Sequence, residues 1–281
     1  MTIKEVVKSD KTLEKFNKEK LCKSLIKAGV PRKDAQVICK DIIKHLPERT
    51  DTQTIHKTVH KFLCKNNLVC AVKYSLKKAI MDLGPEGRVF EKYTARILNE
   101  YGYITKVNQI MKGKCVDHEI DILAIKDGVH YIIENKYHNQ RGIKSDVKVV
   151  MYLYARLLDI EEKRRENKDM AQHIAWLITN TKFTYNTILF ARCRNIKLTG
   201  WKYPKKESLE KLIEEKSLYP ITALPSINNT TKNLLFQNNI ILIKDLTSAT
   251  ENDLMRIGIF RKNATKILNE AQEFLKITNK Y

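Results

Sequence analysis

The chain has no apolar run long enough to cross a bilayer and no leader-like start, so a soluble cytoplasmic protein with no membrane partner is expected. It has no Cys-x-x-Cys pair. Cys22, Cys39, Cys64, Cys70, Cys115 and Cys193 are scattered, which argues against a zinc knuckle or a disulfide framework and leaves reduced, mostly buried thiols. Glycine is scarce, 9 in 281 residues, and none builds a Walker-type phosphate loop, so nucleotide hydrolysis is not expected as a driving force. Acidic side chains are also in short supply: 32 stand against 52 Lys and Arg, a net charge of +20. That excess suits a polyanion, because each phosphate neutralised by a lysine or arginine releases counterions.

A chain of this length is long for one core, so two or three domains are expected. The charge is unevenly shared: residues 1–85 carry 19 basic and 9 acidic side chains, 86–205 carry 22 and 14, and 206–281 carry 11 and 9. The polyanion signal therefore sits in the first two blocks. In the first, a strand-like stretch over 3–8 precedes helical stretches over 18–27, 32–46, 52–66 and 68–83, punctuated by Val30-Pro31 and Leu46-Pro47. This predicts a small, mainly helical domain with an N-terminal hairpin.

The middle block carries the strongest geometric signal. Residues 120–125 and 129–133 are strand-like, and Asp127-Gly128 between them is a two-residue hairpin turn. With Lys126 paired to Val129, Asp121 falls opposite Glu134, and Lys136 lies on the face of Glu134 with Glu119 across from it. Two facing carboxylates about 5 Å apart repel, and a divalent cation is the natural compensation. The stretch EIDILAIKDGVHYIIENKYH has the Asp...Glu-x-Lys core of PD-(D/E)XK nucleases and resembles most the Mrr-type branch of restriction endonucleases. GRVFEKYTARILNEYGY resembles that branch's opening helix, with Glu91 as the accessory acid. The usual glycine-rich lead-in is absent, with only Gly113 near Lys114 to Glu119. The resemblance implies catalytic Glu91, Asp121, Glu134 and Lys136, with Mg²⁺ or Mn²⁺ held by Asp121, Glu134 and the Asn135 carbonyl. A helix over 145–168, a strand over 173–179 and a helix over 185–193 fit an α/β core, and Tyr137, His138 and Gln140 are placed to line a DNA path.

VVKSDKTLEKFNKEKL, TQTIHKTV and AVKYSLKKA resemble the ATP-cone, a regulatory nucleotide-binding domain, over nearly all of residues 1–85. The resemblance implies phosphate contacts from Lys8 and Lys20, nucleoside contacts from Glu14 and Asn17, and closure by Thr52, His56 and Lys78. A triphosphate would then bridge two lysines that otherwise repel. Ser9 stands where the family has arginine, and Lys11 replaces its turn glycine. His56, His60 and Cys64 share a helical face, which also permits a metal reading, although no fourth ligand accompanies them.

ITALPSINNTTKNLLFQNNIILIKDLTSATENDLMRIGIFRKNATKIL resembles a pair of helix-hairpin-helix motifs, whose backbone amides approach DNA phosphates without much side-chain charge. In the second hairpin Gly258, Arg261 and Lys262 are the implied DNA contacts. The first has Ser226 and Asn228 where glycines are usual.

The expected whole is multidomain. Residues 1–85 form a mainly helical ATP-cone, 86–205 an α/β restriction-endonuclease-like core, and 206–281 a linker helix with an all-α helix-hairpin-helix module. The expected activity is Mg²⁺-dependent cleavage of double-stranded DNA, of restriction or defence type, in a homo-oligomer (dimer or tetramer) with ATP or dATP as allosteric effector. The alternatives are a nucleotide-responsive DNA-binding regulator with an idle nuclease fold, and a structure-specific repair nuclease or junction resolvase.

Overall fold

Apolar residues at three- and four-residue spacing build the first helices, and side-chain caps start two of them. The computed structural model describes residues 5–8, 11–85, 87–140, 142–167 and 171–278; Ser9 and Asp10 lie outside them. Strands β1 (Glu5–Val7) and β2 (Leu13–Lys15) form the expected antiparallel hairpin. Helices α1 (Lys18–Lys27) and α2 (Arg32–Lys44) follow, then β3 (Arg49–Asp51), which pairs parallel to β1 and turns the hairpin into a three-stranded sheet. Helices α3 (Thr52–Asn66) and α4 (Leu68–Met81) complete this part. Asn17 caps α1 by accepting from Lys20 N at 3.0 Å, and Asp51 caps α3 by accepting from Gln53 N and Thr54 N at 2.7 and 3.0 Å. Leu21, Leu25, Ile42, Val59 and Leu63 close a common core.

The chain divides into two compact units, Met1–Ile80 with Tyr219–Tyr281, and Met81–Leu218. The second unit opens with α5 (Arg88–Glu100) and then β4 (Ile104–Lys112), β5 (Asp117–Lys126) and β6 (Val129–Lys136). After the short β7 (Lys144–Ser145) come α6 (Val147–Glu166), β8 (His173–Thr179) and the short β9 (Lys182–Phe183), which pairs with β7. Helix α7 (Tyr185–Cys193), β10 (Lys197–Thr199) and α8 (Leu209–Glu215) end it. The five-stranded sheet has the order β10-β8-β6-β5-β4. Its β4-β5-β6 meander is antiparallel, whereas β8 and β10 join in parallel. Leu153, Leu157 and Ile160 of α6 and Ala191 of α7 pack with Ile132, Ala175 and Leu177 of the sheet. Helix α8 is tied to the end of α5, since Tyr101 Oη donates to Leu212 O at 3.0 Å.

Within the first unit the C-terminal segment adds α9 (Asn229–Gln237), α10 (Glu251–Arg256) and α11 (Arg261–Thr278), with 3-10 turns at Ile221–Ala223 and Ile243–Ser248. It is anchored on α4: Ser75 Oγ donates to Ala223 O at 3.4 Å, and Thr222 Oγ1 to Ala79 O at 2.8 Å. Among the described residues no helix is long and apolar enough to cross a membrane.

Candidate functional sites

The hairpin between β5 and β6 sets the first site. Asp127 and Gly128 both take positive φ, 52° and 76°, as a turn matched to strand twist requires. The ladder then runs from Lys126 and Val129 to Ile122 and Ile133, the register expected from the turn. One step further it gives way. Instead of a backbone pair, Asp121 Oδ2 accepts from Asn135 N at 2.7 Å. The ladder between β4 and β5 also skips Asp121, and Asn108 across from it takes φ 51°. The sheet is therefore locally distorted around Asp121 on both sides, and backbone strain of this kind concentrates at functional positions.

Glu134, next to Asn135, is held by Arg156 of α6, whose Nη1 donates to Glu134 Oε2 at 2.7 Å. Burial first, then the Asp121 charge, pushes the Glu134 carboxyl above the usual range. Burial also pushes Asp121 up, against the opposing pull of the Asn135 amide and Arg156. Glu91, on the first turn of α5, is pushed to about 7 by burial and then by the charges of Asp121, Glu134 and Glu119. Lys136 is exposed at the end of β6, and its charge lowers both Asp121 and Glu134. All four expected residues of this site thus share one electrostatic neighbourhood.

Arg156 was not among the expected site residues, yet a signal for it existed. It occupies an otherwise apolar stripe of α6 with Leu153 and Leu157, and a charge placed there needs a partner. Tyr137 and His138 are half-buried and already engaged. Tyr137 Oη donates to Met81 O and its ring packs on Phe90 at 5.4 Å. His138 is pinned through its backbone N and O to the Asn180 side chain, at 2.9 and 2.8 Å. Gln140 is exposed.

Among the described residues no group of three or more His, Cys, Asp or Glu side chains is arranged to hold a metal ion. A cation at this site would therefore rest on Asp121, Glu134 and the Asn135 carbonyl. The donor set fits a hard divalent ion, since Asp121 and Glu134 are half-buried carboxylates close enough for the Asp121 charge to act on Glu134. The Asn135 side chain is buried with both its Oδ1 and Nδ2 unpaired among the described residues, and strand alternation turns it to the face opposite Glu134.

The second site is a cleft in the first unit lined by Lys8, Glu14, Asn17, Lys20, Thr52 and Tyr74. Five of the seven residues expected around a nucleotide therefore meet. His56 stands just behind, stacked on Tyr74 at 4.9 Å. Lys78 does not line the cleft; its charge acts on His60. One expectation is corrected: Lys8 and Lys20 are not left to repel each other. The Glu14 carboxylate bridges them at 3.1 and 3.3 Å, and the hydrogen bond from Lys8, then that from Lys20, holds its pKa down. Lys11 takes φ 66°, which explains the glycine usual in such a turn. His60 lies 3.7 Å from Cys64 Sγ, and its pKa is lowered chiefly by burial, then by the Lys78 charge.

In the C-terminal segment Gly258 takes φ 96°, but its amide donates to Met255 O, and the Ile259 amide donates to Leu254 O, both at 3.0 Å. These bonds close the end of α10 and occupy both amides. Helix α11 begins at the exposed Arg261 and Lys262, and its Asn263 and Ala264 amides already donate to Phe260 O at 2.9 and 3.0 Å. In the first hairpin, Glu270 already takes the Ser226 N and Oγ at 3.1 and 2.7 Å, and Asn228 caps α9.

Residues 4–80 match the ATP cone domain, and residues 219–275 match the domain described as AF1548-like, C-terminal. An uncharacterized protein of Archaeoglobus fulgidus is 41% identical over 181 residues, spanning 64% of this chain and 99% of the relative. The crystal structure of a protein of unknown function, AF1548, is similar with a TM-score of 0.58 at 38% identity, covering 70% of this chain and 100% of that one.

Proposed function

The chain belongs to the AF1548-like family, and on that premise we propose that it is a metal-dependent DNA endonuclease governed by an adenine nucleotide in its ATP cone. In this reading the middle block is a PD-(D/E)XK nuclease core of the Mrr-type branch, and the C-terminal segment is a helix-hairpin-helix module. The observation that carries the reading is the end of the β5–β6 hairpin, where Asp121, bonded to the Asn135 amide, sits beside Glu134 with Lys136 at the rim.

A bound Mg²⁺ or Mn²⁺ would supply Lewis acidity toward the phosphodiester and lower the pKa of a water. The chain's own residues do the rest. Asp121 and Glu134 would provide the negative oxygens that hold the ion. The Asn135 amide fixes the Asp121 carboxylate, so little reordering is needed when the site fills. Lys136, exposed and compact, orients the attacking water and offsets charge that builds on the phosphate. Glu91, poised near 7, takes up a proton at the site margin.

The cone supports regulation rather than fuel, because its lysines and Glu14 line a cleft with no glycine loop. The net charge of +20 supports double-stranded DNA as the partner. Plasmid, methylated plasmid and branched DNA, each incubated with Mg²⁺ or Mn²⁺ and with or without ATP or dATP, test the reading. Cleavage by the wild type should fall at least about a thousandfold in Asp121→Ala while DNA binding survives. Equal cutting by wild type and variant would sink the site. Preference for branched DNA would shift the reading to a junction resolvase, and metal-independent DNA binding without cleavage would shift it to a regulator.

A further inference from the structure

Arg156 occupies an unusual position for a charged residue. Its side chain is only 11% exposed, and it is held between Glu134, at 2.7 Å from Nη1, and the Tyr152 ring, 4.8 Å from the guanidinium carbon. A buried guanidinium is costly unless its donors are matched, because each unpaired buried N–H keeps its full desolvation penalty. Here the match is incomplete: the Arg156 Nε is buried and has no hydrogen-bond partner among the described residues. A residue placed only to hold α6 against the sheet would be better served by an apolar side chain of similar volume. The unpaired donor instead belongs to a fork whose other arm touches a proposed metal ligand.

We infer that Arg156 is a further catalytic residue of this site: it holds Glu134 in the cation-free protein, and with a cation and DNA bound it donates to a non-bridging oxygen of the scissile phosphate. The inference rests on the nuclease reading and deepens it. Three facts support the assignment. The fork geometry of arginine matches a phosphate in the way it matches a carboxylate, so one side chain serves both partners. Tyr152 fixes the plane of the guanidinium while remaining 61% exposed, so this packing does not seal the side chain in the core. The guanidinium touches Glu134 and also feels the Asp121 charge, so both proposed cation ligands answer to it.

Two consequences separate this role from a structural one. A cation entering the site must share Glu134 with Arg156, so the guanidinium competes with it. The same guanidinium is needed once the phosphate arrives, so its loss slows the reaction even when the cation is saturating. The test uses the full chain, Mn²⁺ as the probe ion and supercoiled plasmid as the substrate, with Arg156→Met and Arg156→Lys compared with wild type after melting curves establish that each is folded. Calorimetric titration without DNA should give Mn²⁺ affinity tighter by about tenfold in Arg156→Met, the size expected for groups next to metal ligands. Cleavage at saturating Mn²⁺ should nevertheless fall by about a hundredfold or more, as when one donor to a developing oxyanion is removed. Arg156→Lys should stay close to wild type in Mn²⁺ affinity and still cleave slowly, because a single ammonium cannot serve carboxylate and phosphate together.

Full recovery of cleavage in Arg156→Met at saturating Mn²⁺ would overturn the inference and leave Arg156 a scaffold for Glu134. So would wild-type Mn²⁺ affinity combined with wild-type cleavage in that variant. Should Arg156→Met fail to fold, Arg156→Lys alone decides, and wild-type cleavage by it overturns the inference. A wild-type protein that neither binds Mn²⁺ nor cuts DNA removes the nuclease reading itself, a result distinct from failure of the Arg156 variants.

Discussion

The two candidate sites are electrostatic opposites. In the cleft of the first unit one carboxylate, Glu14, lies between two lysines; in the sheet of the second, Asp121 and Glu134 share one guanidinium, Arg156, with Glu119 and Glu91 adding to the acidic charge. Each carries an internal counter-ion of the sign its proposed ligand would bring. What separates them is solvent. The cleft pairs are about half exposed, where an ion pair contributes little and exchanges readily. The sheet pair is nearly buried, where separating the partners leaves an uncompensated charge in a poor solvent. The cleft is therefore built for easy exchange, and the sheet site for exchange only against something as highly charged as what leaves.

The comparison breaks most visibly in stability. Glu134→Ala strands Arg156 and should cost about 3 kcal/mol in denaturant unfolding, the usual penalty for halving a buried pair. The double variant Glu134→Ala, Arg156→Met should regain part of that loss, because the stranded charge is gone. Glu14→Ala in the cleft should leave the unfolding midpoint in place. Equal destabilisation by the two single variants would show that burial does not distinguish the sites.

Protons sharpen the same contrast. Glu91 is raised from the ordinary glutamate value of 4.5 to about 7, so the folded state binds its proton more tightly than the unfolded chain does. Stability from this group is full below about pH 4.5 and is lost as pH rises through about 7. In chelator, the melting temperature should fall over that window, and Mg²⁺ should restore more of it on the alkaline side, where the carboxylates are charged. A flat profile in chelator, or Mg²⁺ stabilisation strongest in acid, would count against a crowded acid site. The cleft has the opposite sign: Glu14 is lowered by Lys8 and Lys20, so its contribution disappears in acid.

The parts of these sites that local chain geometry dictates were legible in the sequence. Asp127-Gly128 fixes a turn with both φ values positive, and the register through Ile122 and Ile133 follows from it. The bounds of α1, α3, β8 and α7 match the stretches 18–27, 52–66, 173–179 and 185–193 expected from the sequence. What escaped depends on partners distant in the chain. β4 is an edge strand whose positions alternate exposed and half-buried, but Ile104 and Ile110 fall on the exposed face, so its residue types do not follow that alternation. β3 and β10 span three residues each, too short for a periodic signal. The pairing of Arg156 with Glu134 spans 22 residues, and residue types alone do not reveal it. Likewise, Lys8, Glu14 and Lys20 could be named as a group, but not that the carboxylate bridges the lysines.

That bridge gives the cleft its own prediction. The double variant Lys8→Ala, Lys20→Ala should lower ATP or dATP affinity by about tenfold or more in calorimetry, as expected when two charge-assisted phosphate contacts are lost. The melting temperature should hardly move, because the residues removed are surface partners. Unchanged nucleotide affinity would remove the cleft from the regulatory reading. A large drop in melting temperature would instead make the three charges a structural clasp.

The smallest expected effect lies in the turn that carries the cleft. Lys11 N donates to Lys8 O at 3.0 Å and Lys8 N donates to Thr12 O at 2.8 Å, so Lys11 closes the loop between the strands bearing Lys8 and Glu14. It does so at φ 66°, a conformation that costs an L-residue other than glycine about 1–2 kcal/mol. Glycine removes that strain but gives the unfolded chain more freedom, an opposing cost of about 0.5–1 kcal/mol. Lys11→Gly should therefore stabilise the protein by less than about 1 kcal/mol, read as a small rise in melting temperature. The same substitution removes a positive charge from the loop beside Lys8, so nucleotide affinity should fall a few-fold while stability rises. Opposite signs in the two measurements would mean that the chain tolerates a strained turn in order to keep a cation at the cleft. A rise in both would mean that the lysine contributes strain alone.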